Sequence, residues 1–397
     1  MGRRELSRVM PVLAVIVVLV GFGLALAVVL AGSGPSRSTS HRAPSRSPSP
    51  LEASPSASPS PSASPSPEPA PAVVAAPRPI IPRPPILRPP PPPPPPPATY
   101  HPIFGMDFEP FTQAGQSPVG GSSPGDGQIR SLLSLLQGRT LWIKTAGSSS
   151  GQERIPCIAK SMGFSVAAAA YLNGQSGDAA EISHLEANIR QGCVDVAVVG
   201  SEAVWHEYYG GVQAASYINQ VRAATAGSAN VMYTTAEPDE LYRAGSPGHK
   251  YGAADVQAEM AASDIYIANI PPFNYGDSLN AAIPDVNARY GAISAVARSN
   301  TRTHANVWIG ETEWPSGCDP FGNPGWCHDA RVNPANAASY FQQFEGWAAM
   351  ARANTFYYEA IDNVWAGQYD QGYGNHWGIF DNAGNLKPGF QQGFPHY

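Results

Sequence analysis

From Tyr100 onward, short apolar runs alternate with longer stretches of helical period. Eight runs read as strands: IFGMDF (103–108), TLWIKT (140–145), SVAAAAYL (165–172), VDVAVVG (194–200), NVMYTT (230–235), DIYIANI (264–270), NVWIGE (306–311) and TFYYEAI (355–361). Stretches such as GDGQIRSLLSLLQG, EISHLEANIRQG, EYYGGVQAASYINQVRAATAG and PANAASYFQQFEGWAAMARAN read as helices between them. Strands apolar on both faces and separated by helices predict a parallel sheet covered on both sides. Eight such units in about 300 residues predict an α/β fold, a TIM (β/α)8 barrel, over 100–397. The structural rival is an open doubly wound sheet. That fold often carries a glycine-rich phosphate loop after its first strand, and FEPFTQAGQSPVGG is a poor match for one.

The pattern before residue 100 is of another kind. Arg3, Arg4 and Arg8 precede an uncharged apolar run from Val9 to Ala31. The run is long enough to span a bilayer, and the leading arginines predict a cytoplasmic N-terminus. Residues 1–32 therefore read as a transmembrane signal anchor, with the membrane as a partner. A cleaved signal peptide, which would leave a secreted domain, is the alternative; its apolar region is usually shorter, roughly 7–15 residues. Residues 33–99 are Ser/Pro-rich and end in a run of prolines. They lack the apolar side chains for a core and predict a disordered linker of polyproline II character. Fully extended, at about 3.1 Å per residue, it would reach on the order of 200 Å, enough to carry a domain across a thick cell wall. The predicted location is the cell membrane, single-pass, with the C-terminal domain outside.

Charge narrows the partners. The chain has 24 basic and 30 acidic residues, a net of −6. Residues 1–100 hold nine Arg and three Glu, which leaves 15 basic and 27 acidic residues beyond, a net of −12. An acidic domain repels phosphate backbones, so nucleic acid is not expected as a partner. The four cysteines are an even count in an exported domain and predict two disulfides. Cys318 and Cys327 flank a short loop and should pair, leaving Cys157 for Cys193. A metal site is the competing reading, but no C-x-x-C or nearby His pair supports it.

In such barrels the chemistry sits at the carboxyl ends of the strands. Glu202 follows the fourth strand, Glu311 and Glu313 the seventh, Glu359 and Asp362 belong to the eighth, and Asp107 and Glu109 to the first. One such acid is commonly a helix cap or an ion pair. Acids gathered after strands four, seven and eight point to chemistry. Two carboxyl groups facing each other can break a glycosidic bond, one protonating the leaving oxygen and the other attacking or activating water. Strands four and seven lie across the mouth of an eight-stranded barrel. Flat sugar faces pack on aromatic rings, and Trp205, Phe273, Tyr275, Trp314, Trp365, Tyr369 and Trp377 all fall in loops after strands. Trp314, directly after the strand-seven acids, is the aromatic expected to touch sugar.

The segments IGETEWPSG, YYEAIDNVW and HWGIFDNAGNLKPGF, with VDVAVVGSEAV and DIYIANIPPF in the right order, resemble glycoside hydrolase family 17, the β-1,3-glucanase family. The likeness covers nearly all of 101–390. With the N-terminal pattern, it points to a bacterial, membrane-anchored member. It implies a retaining (β/α)8 barrel that needs no cofactor. The family motif V-G-N-E places the acid/base at Glu202, and E-T-G-W-P-S places the nucleophile at Glu311. The sequence departs from the family at Ser201 for an Asn that contacts the sugar 2-hydroxyl, Phe108 for a Tyr and Pro271 for a His. Asn363 and Ala366 replace an acid and a Lys. Glu313 stands in place of a glycine, as a structural ion pair or loop hydrogen bond, or as a group that tunes a neighbour or contacts sugar. By side-chain alternation Val307, Ile309, Glu311 and Glu313 would share one face.

The resemblance implies hydrolysis of a β-glucan, β-1,3-linked first, by a monomer acting on a polysaccharide or oligosaccharide. Ser201, Asn269, Phe273, Trp314, Glu359 and Trp365 are its candidate substrate contacts. Transglucosylation differs only in the acceptor. A non-catalytic carbohydrate-binding or wall-attachment module, or an adhesin built on the barrel, are the competing classes. Reducing-sugar release from laminarin separates them from an enzyme.

Overall fold

The computed structural model describes residues 102–228, 230–244, 253–299, 306–323 and 325–394. The predicted anchor and linker lie outside these residues. Among the described residues, no helix is long and apolar enough to cross a membrane.

All eight expected strands are present. They are β1 (Ile103–Asp107), β2 (Thr140–Lys144), β3 (Ser165–Ala170), β4 (Val196–Ser201), β5 (Met232–Pro238), β6 (Tyr266–Asn269), β7 (Val307–Glu311) and β8 (Asn354–Tyr357). Each pairs in parallel with its chain neighbour, and β8 closes on β1 through Gly105↔Phe356 and Met106↔Tyr357. The crossovers carry α1 (Asp126–Ser134), α2 (Ile155–Ser161), α3 (Asp178–Arg190), α4 (Gly211–Ala224), α5 (Asp239–Ala244), α6 (Ala253–Ala262), α7 (Leu279–Arg298) and α8 (Pro334–Ala351). This is a TIM-type barrel.

Two details differ from the expected pattern. β8 ends at Tyr357, so Glu359 and Asp362 lie in the loop beyond it. After β8 the described residues form only short 3-10 turns, Ala366–Gln368 and Phe390–Gly393, in place of a helix following the last strand. The second turn covers α8 by setting Phe390 and Phe394 against Phe341, each with ring centres 5.5 Å apart.

The barrel interior is filled unevenly. β3 and β4 contribute Ala167, Ala169, Val196 and Val198, while Phe104, Trp142, Trp308 and Phe356 fill the side made by β1, β2, β7 and β8. Trp142 and Trp308 meet edge to face with centres 5.2 Å apart. This aromatic plug leaves no channel, so polar chemistry is confined to the open end above it. Outside, α8 begins cleanly. The Asn333 side chain accepts the Asn336 N–H at 2.9 Å and Pro334 takes the first helical position, which stabilises a helix start. Both expected disulfides are formed, Cys157–Cys193 and Cys318–Cys327.

Candidate active site

Glu202 is the first residue past β4. The pairing of β4 with β5 shifts register between Val198 and Ser201. Gly200 has φ +95° and Glu202 φ +54°. Only a glycine fits at 200, since a Cβ there would come within 2.6 Å of the Tyr209 hydroxyl. A bulge of this sort re-aims the next side chain, and the left-handed backbone at Glu202 is costly for a non-glycine residue. The loop is held by the Glu202 N–H donating to Ala236 O at 2.7 Å, and by the Glu237 carboxylate accepting from Val204 and Trp205 N–H. Glu202 Oε1 accepts from Asn269 Nδ2 at 2.7 Å, and Oε2 faces His206 Nε2 at 3.3 Å.

Glu311 ends β7, and a second register shift lies here: Ala268 pairs with Ile309, but Asn269 pairs with Glu311. Gly310 occupies the shift. A Cβ on it would meet Ile267 Cγ2 at 2.4 Å and Asn269 Oδ1 at 2.6 Å. The alternation expected over 307–313 is therefore corrected. Trp308 points into the barrel, Val307 and Ile309 pack outward in the main core, and the shift at Gly310 resets the phase before Glu311. Asn269 stands opposite Glu311 in register, and its side chain bonds Glu202.

Lys144, the last residue of β2, is buried with its ammonium between two acids. Nζ donates to Asp107 Oδ1 at 2.5 Å and to Glu311 Oε1 at 2.9 Å. These acids hold Lys144 protonated against the opposing effect of burial. Burial pushes Asp107 well up despite Lys144, with Glu311 adding to the rise, and burial with the Glu311 charge pushes Glu109 up to about 7. Burial also raises Glu311, against Lys144 and with the Glu202 charge. One ammonium cannot keep three carboxyls ionised. The Glu311 side chain is 26% exposed and that of Asp107 only 4%. Solvation therefore favours the ionised form of Glu311 over those of Asp107 and Glu109. Glu202 moves the other way. Burial raises it, but the hydrogen bond and charge of His206, with Asn269 and Lys144, bring it below the ordinary range.

Glu202 and Glu311 line one cleft of about 200 Å³ with Asn269, Pro271, Asn274, Glu313, Tyr358, Asp370 and Trp377. Of the six expected substrate contacts, Asn269 is in this lining and five are not. Trp314 is fully buried, its Nε1–H donating to Arg331 O at 3.0 Å and its ring packed on Phe273 and Tyr340. It is a core residue, and the expectation that it touches sugar is corrected. Phe273 is buried beneath the Arg331 guanidinium, 4.3 Å from its ring centre. Glu359 is buried and accepts from Asn363 Nδ2 at 2.7 Å. Trp365 stands beside Glu109 and packs on Phe111 and Tyr369. Ser201 closes β4 opposite Ala236. The aromatic wall is made by Trp377 and Tyr358 instead. Lys144, His206, Asn274 and Asp370 were not singled out in the sequence. His206, four residues after Glu202 in a loop that turns back on itself, is the one a spacing argument would have reached. Among the described residues, no group of three or more His, Cys, Asp or Glu is placed to hold a metal ion.

A closed parallel barrel whose fourth and seventh strands deliver carboxylates to one aromatic-walled cleft is the architecture of a glycosidase. The chain belongs to the BtgE/BtgC glycoside hydrolase domain family, whose model matches residues 105–378. A glucan 1,3-beta-glucosidase of Saccharomyces cerevisiae is 24% identical over 267 residues, 62% of this chain and 79% of that protein. The glucan endo-1,3-beta-glucosidase btgC of Emericella nidulans is 28% identical over 138 residues, 33% of this chain but only 21% of that longer protein. Among solved structures, a glycoside hydrolase family 17 beta-1,3-glucanosyltransferase from Rhizomucor miehei superposes with a TM-score of 0.59 at 17% identity, over 72% of this chain and 96% of that one.

Proposed function

We propose that the chain is a retaining β-glucan hydrolase, β-1,3-glucan being its first substrate, with Glu311 as nucleophile and Glu202 as acid/base. The observation that carries this is the pair of carboxylates in one cleft, each with its own basic partner. Lys144 anchors Glu311 Oε1, which leaves Oε2 to attack the anomeric carbon. As that bond forms, the glycosidic C–O bond breaks, and the leaving oxygen takes a proton from Glu202. Asn269 holds Glu202 Oε1 at 2.7 Å, so Oε2, in the looser 3.3 Å contact with His206, is the oxygen free to act. His206 favours the ionised form of Glu202, which suits its role as base in the second step; for the first step Glu202 must take up a proton from solvent. In the second step Glu202 takes a proton from water, the hydroxide adds to the anomeric carbon, and the ester to Glu311 breaks. A sugar hydroxyl in place of water would give transfer.

The test is product release from laminarin by the purified chain. Glu202→Gln and Glu311→Gln should each lower turnover about 10³-fold or more. Longer oligosaccharides among the products would mark transfer. Sugar binding without turnover, equal in wild type and both variants, would replace the enzyme with a carbohydrate-binding module.

We further propose a bacterial, membrane-anchored location for this monomeric domain, outside the cell. Its support is the arginine-flanked apolar run Val9–Ala31 followed by the Pro/Ser-rich stretch 33–99. Protease added to intact cells should release an active domain and leave the N-terminal fragment in the membrane fraction. Activity found only in the cytosol would contradict this.

A further inference from the structure

Four carboxyl groups line the cleft: Glu202, Glu311, Glu313 and Asp370. The first two face basic side chains, His206 and Lys144. The hydrogen bonds of the other two, among the described residues, come from neutral donors. Glu313 Oε1 accepts from Asn274 Nδ2 at 3.1 Å, and Asp370 Oδ2 accepts from Trp377 Nε1 at 2.9 Å. Glu313 is only 6% exposed, and its Oε2 is buried without a hydrogen-bond partner although the residue lines the cleft. A buried acceptor left without a donor is destabilising. A ligand entering the cleft can supply that partner.

The charge of that donor follows from the surroundings. No Lys or Arg is in the lining. Besides burial, the charges acting on Glu313 are those of Glu311, Asp370, Glu202 and Asp107, all acids. Burial and these acids favour the protonated form of Glu313 in the free cleft, and a sugar hydroxyl would leave it so. An ammonium lets it ionise as the ligand binds, and the hydrogen bonds of an ammonium to carboxylates are roughly twice as strong as neutral ones. A uronic acid would add a further like charge.

We propose that Glu313, Asp370 and Asn274 form a subsite beside Glu311 for a sugar unit bearing a free ammonium, a 2-amino-2-deoxy sugar being the class that fits. It rests on the cleft being a sugar site and specifies one of its positions. Glu313 is the specificity-determining residue, Asn274 fixes its Oε1, and Asp370 supplies the second charge.

The test is binding of four methyl β-glycosides to the purified full-length chain at neutral pH, where the free amine is still largely charged and acid does not hold the proton on Glu313. The probes are the glucosaminide, the N-acetylglucosaminide, the glucoside and the glucuronide. The glucosaminide should bind about tenfold more tightly than the glucoside and the N-acetyl compound. The preference should shrink with added salt, and the glucuronide should bind least. Glu313→Gln and Asp370→Asn, checked for an unchanged melting temperature, should each erase the preference. Equal binding of amine and glucoside, or a preference that survives both substitutions, overturns the subsite. Laminarin turnover is read separately. Turnover without amine preference removes this subsite alone, whereas failure of every glycoside to bind removes the sugar site with it.

Discussion

Lys144 sets the charge of the cleft from beneath it. Its ammonium is the cation shared by Asp107 and Glu311, and its removal leaves Glu311 among other acids without that cation. Lys144→Met removes an influence that lowers the Glu311 pKa, so that pKa rises. With Glu311 as the proposed nucleophile, the acidic limb of kcat/KM should move to higher pH. An unmoved limb would show that Lys144 is only structural. Removing one partner of a buried pair should also cost about 3–5 kcal/mol of stability. The limb's position does not depend on how much protein is folded, so the two effects separate. The sequence disclosed the acids here more readily than their partners. Glu202 and Glu311 stand at strand ends, where position and the family motif together mark them. Lys144 also ends a strand, but a single Lys closing TLWIKT has no motif around it. Trp314 misled for the opposite reason. Adjacency to Glu311 along the chain says nothing of direction, and the side chain turns into the core under Arg331.

At the scale of elements, the bulges at the ends of β4 and β7 matter more than the strands themselves. They turn Glu202 and Glu311 to the mouth after strands that are apolar on both faces. Gly310 is the tightest point. Gly310→Ala would drive a methyl into Ile267 and Asn269. It should cost about 1–3 kcal/mol of stability and lower kcat/KM by displacing the Asn269 bond to Glu202. A variant with wild-type melting temperature and turnover would contradict this role. All eight strands were legible because two-faced apolar runs admit few other readings. The bulges were not, since register depends on the neighbouring strand and has no local sequence signature. The short covering turn after β8 was equally hidden. Phe390–Gly393 does by packing on α8 what a helix was expected to do.

Across the whole molecule, one sign of charge runs from composition to cleft. The chain beyond residue 100 has a net charge of −12, and four of the nine lining residues are acids. The aromatic plug closes the barrel below, so substrate must enter from the mouth where those acids stand. The central claim is that Glu311, and not its neighbour Glu313, forms the bond to sugar. Lys144 lowers the Glu311 pKa against the effect of burial and anchors one of its oxygens, leaving the other free. Glu313 is pushed well up by burial and by the acids around it, which favours its protonated form in the free cleft. The direct measurement is mass spectrometry of peptides from the purified chain after trapping with a 2-deoxy-2-fluoro-β-glucosyl fluoride. The account predicts one added fluoroglucosyl unit on Glu311, absent in Glu311→Gln. A label on Glu313, or hydrolysis with inverted configuration and no label, would contradict it.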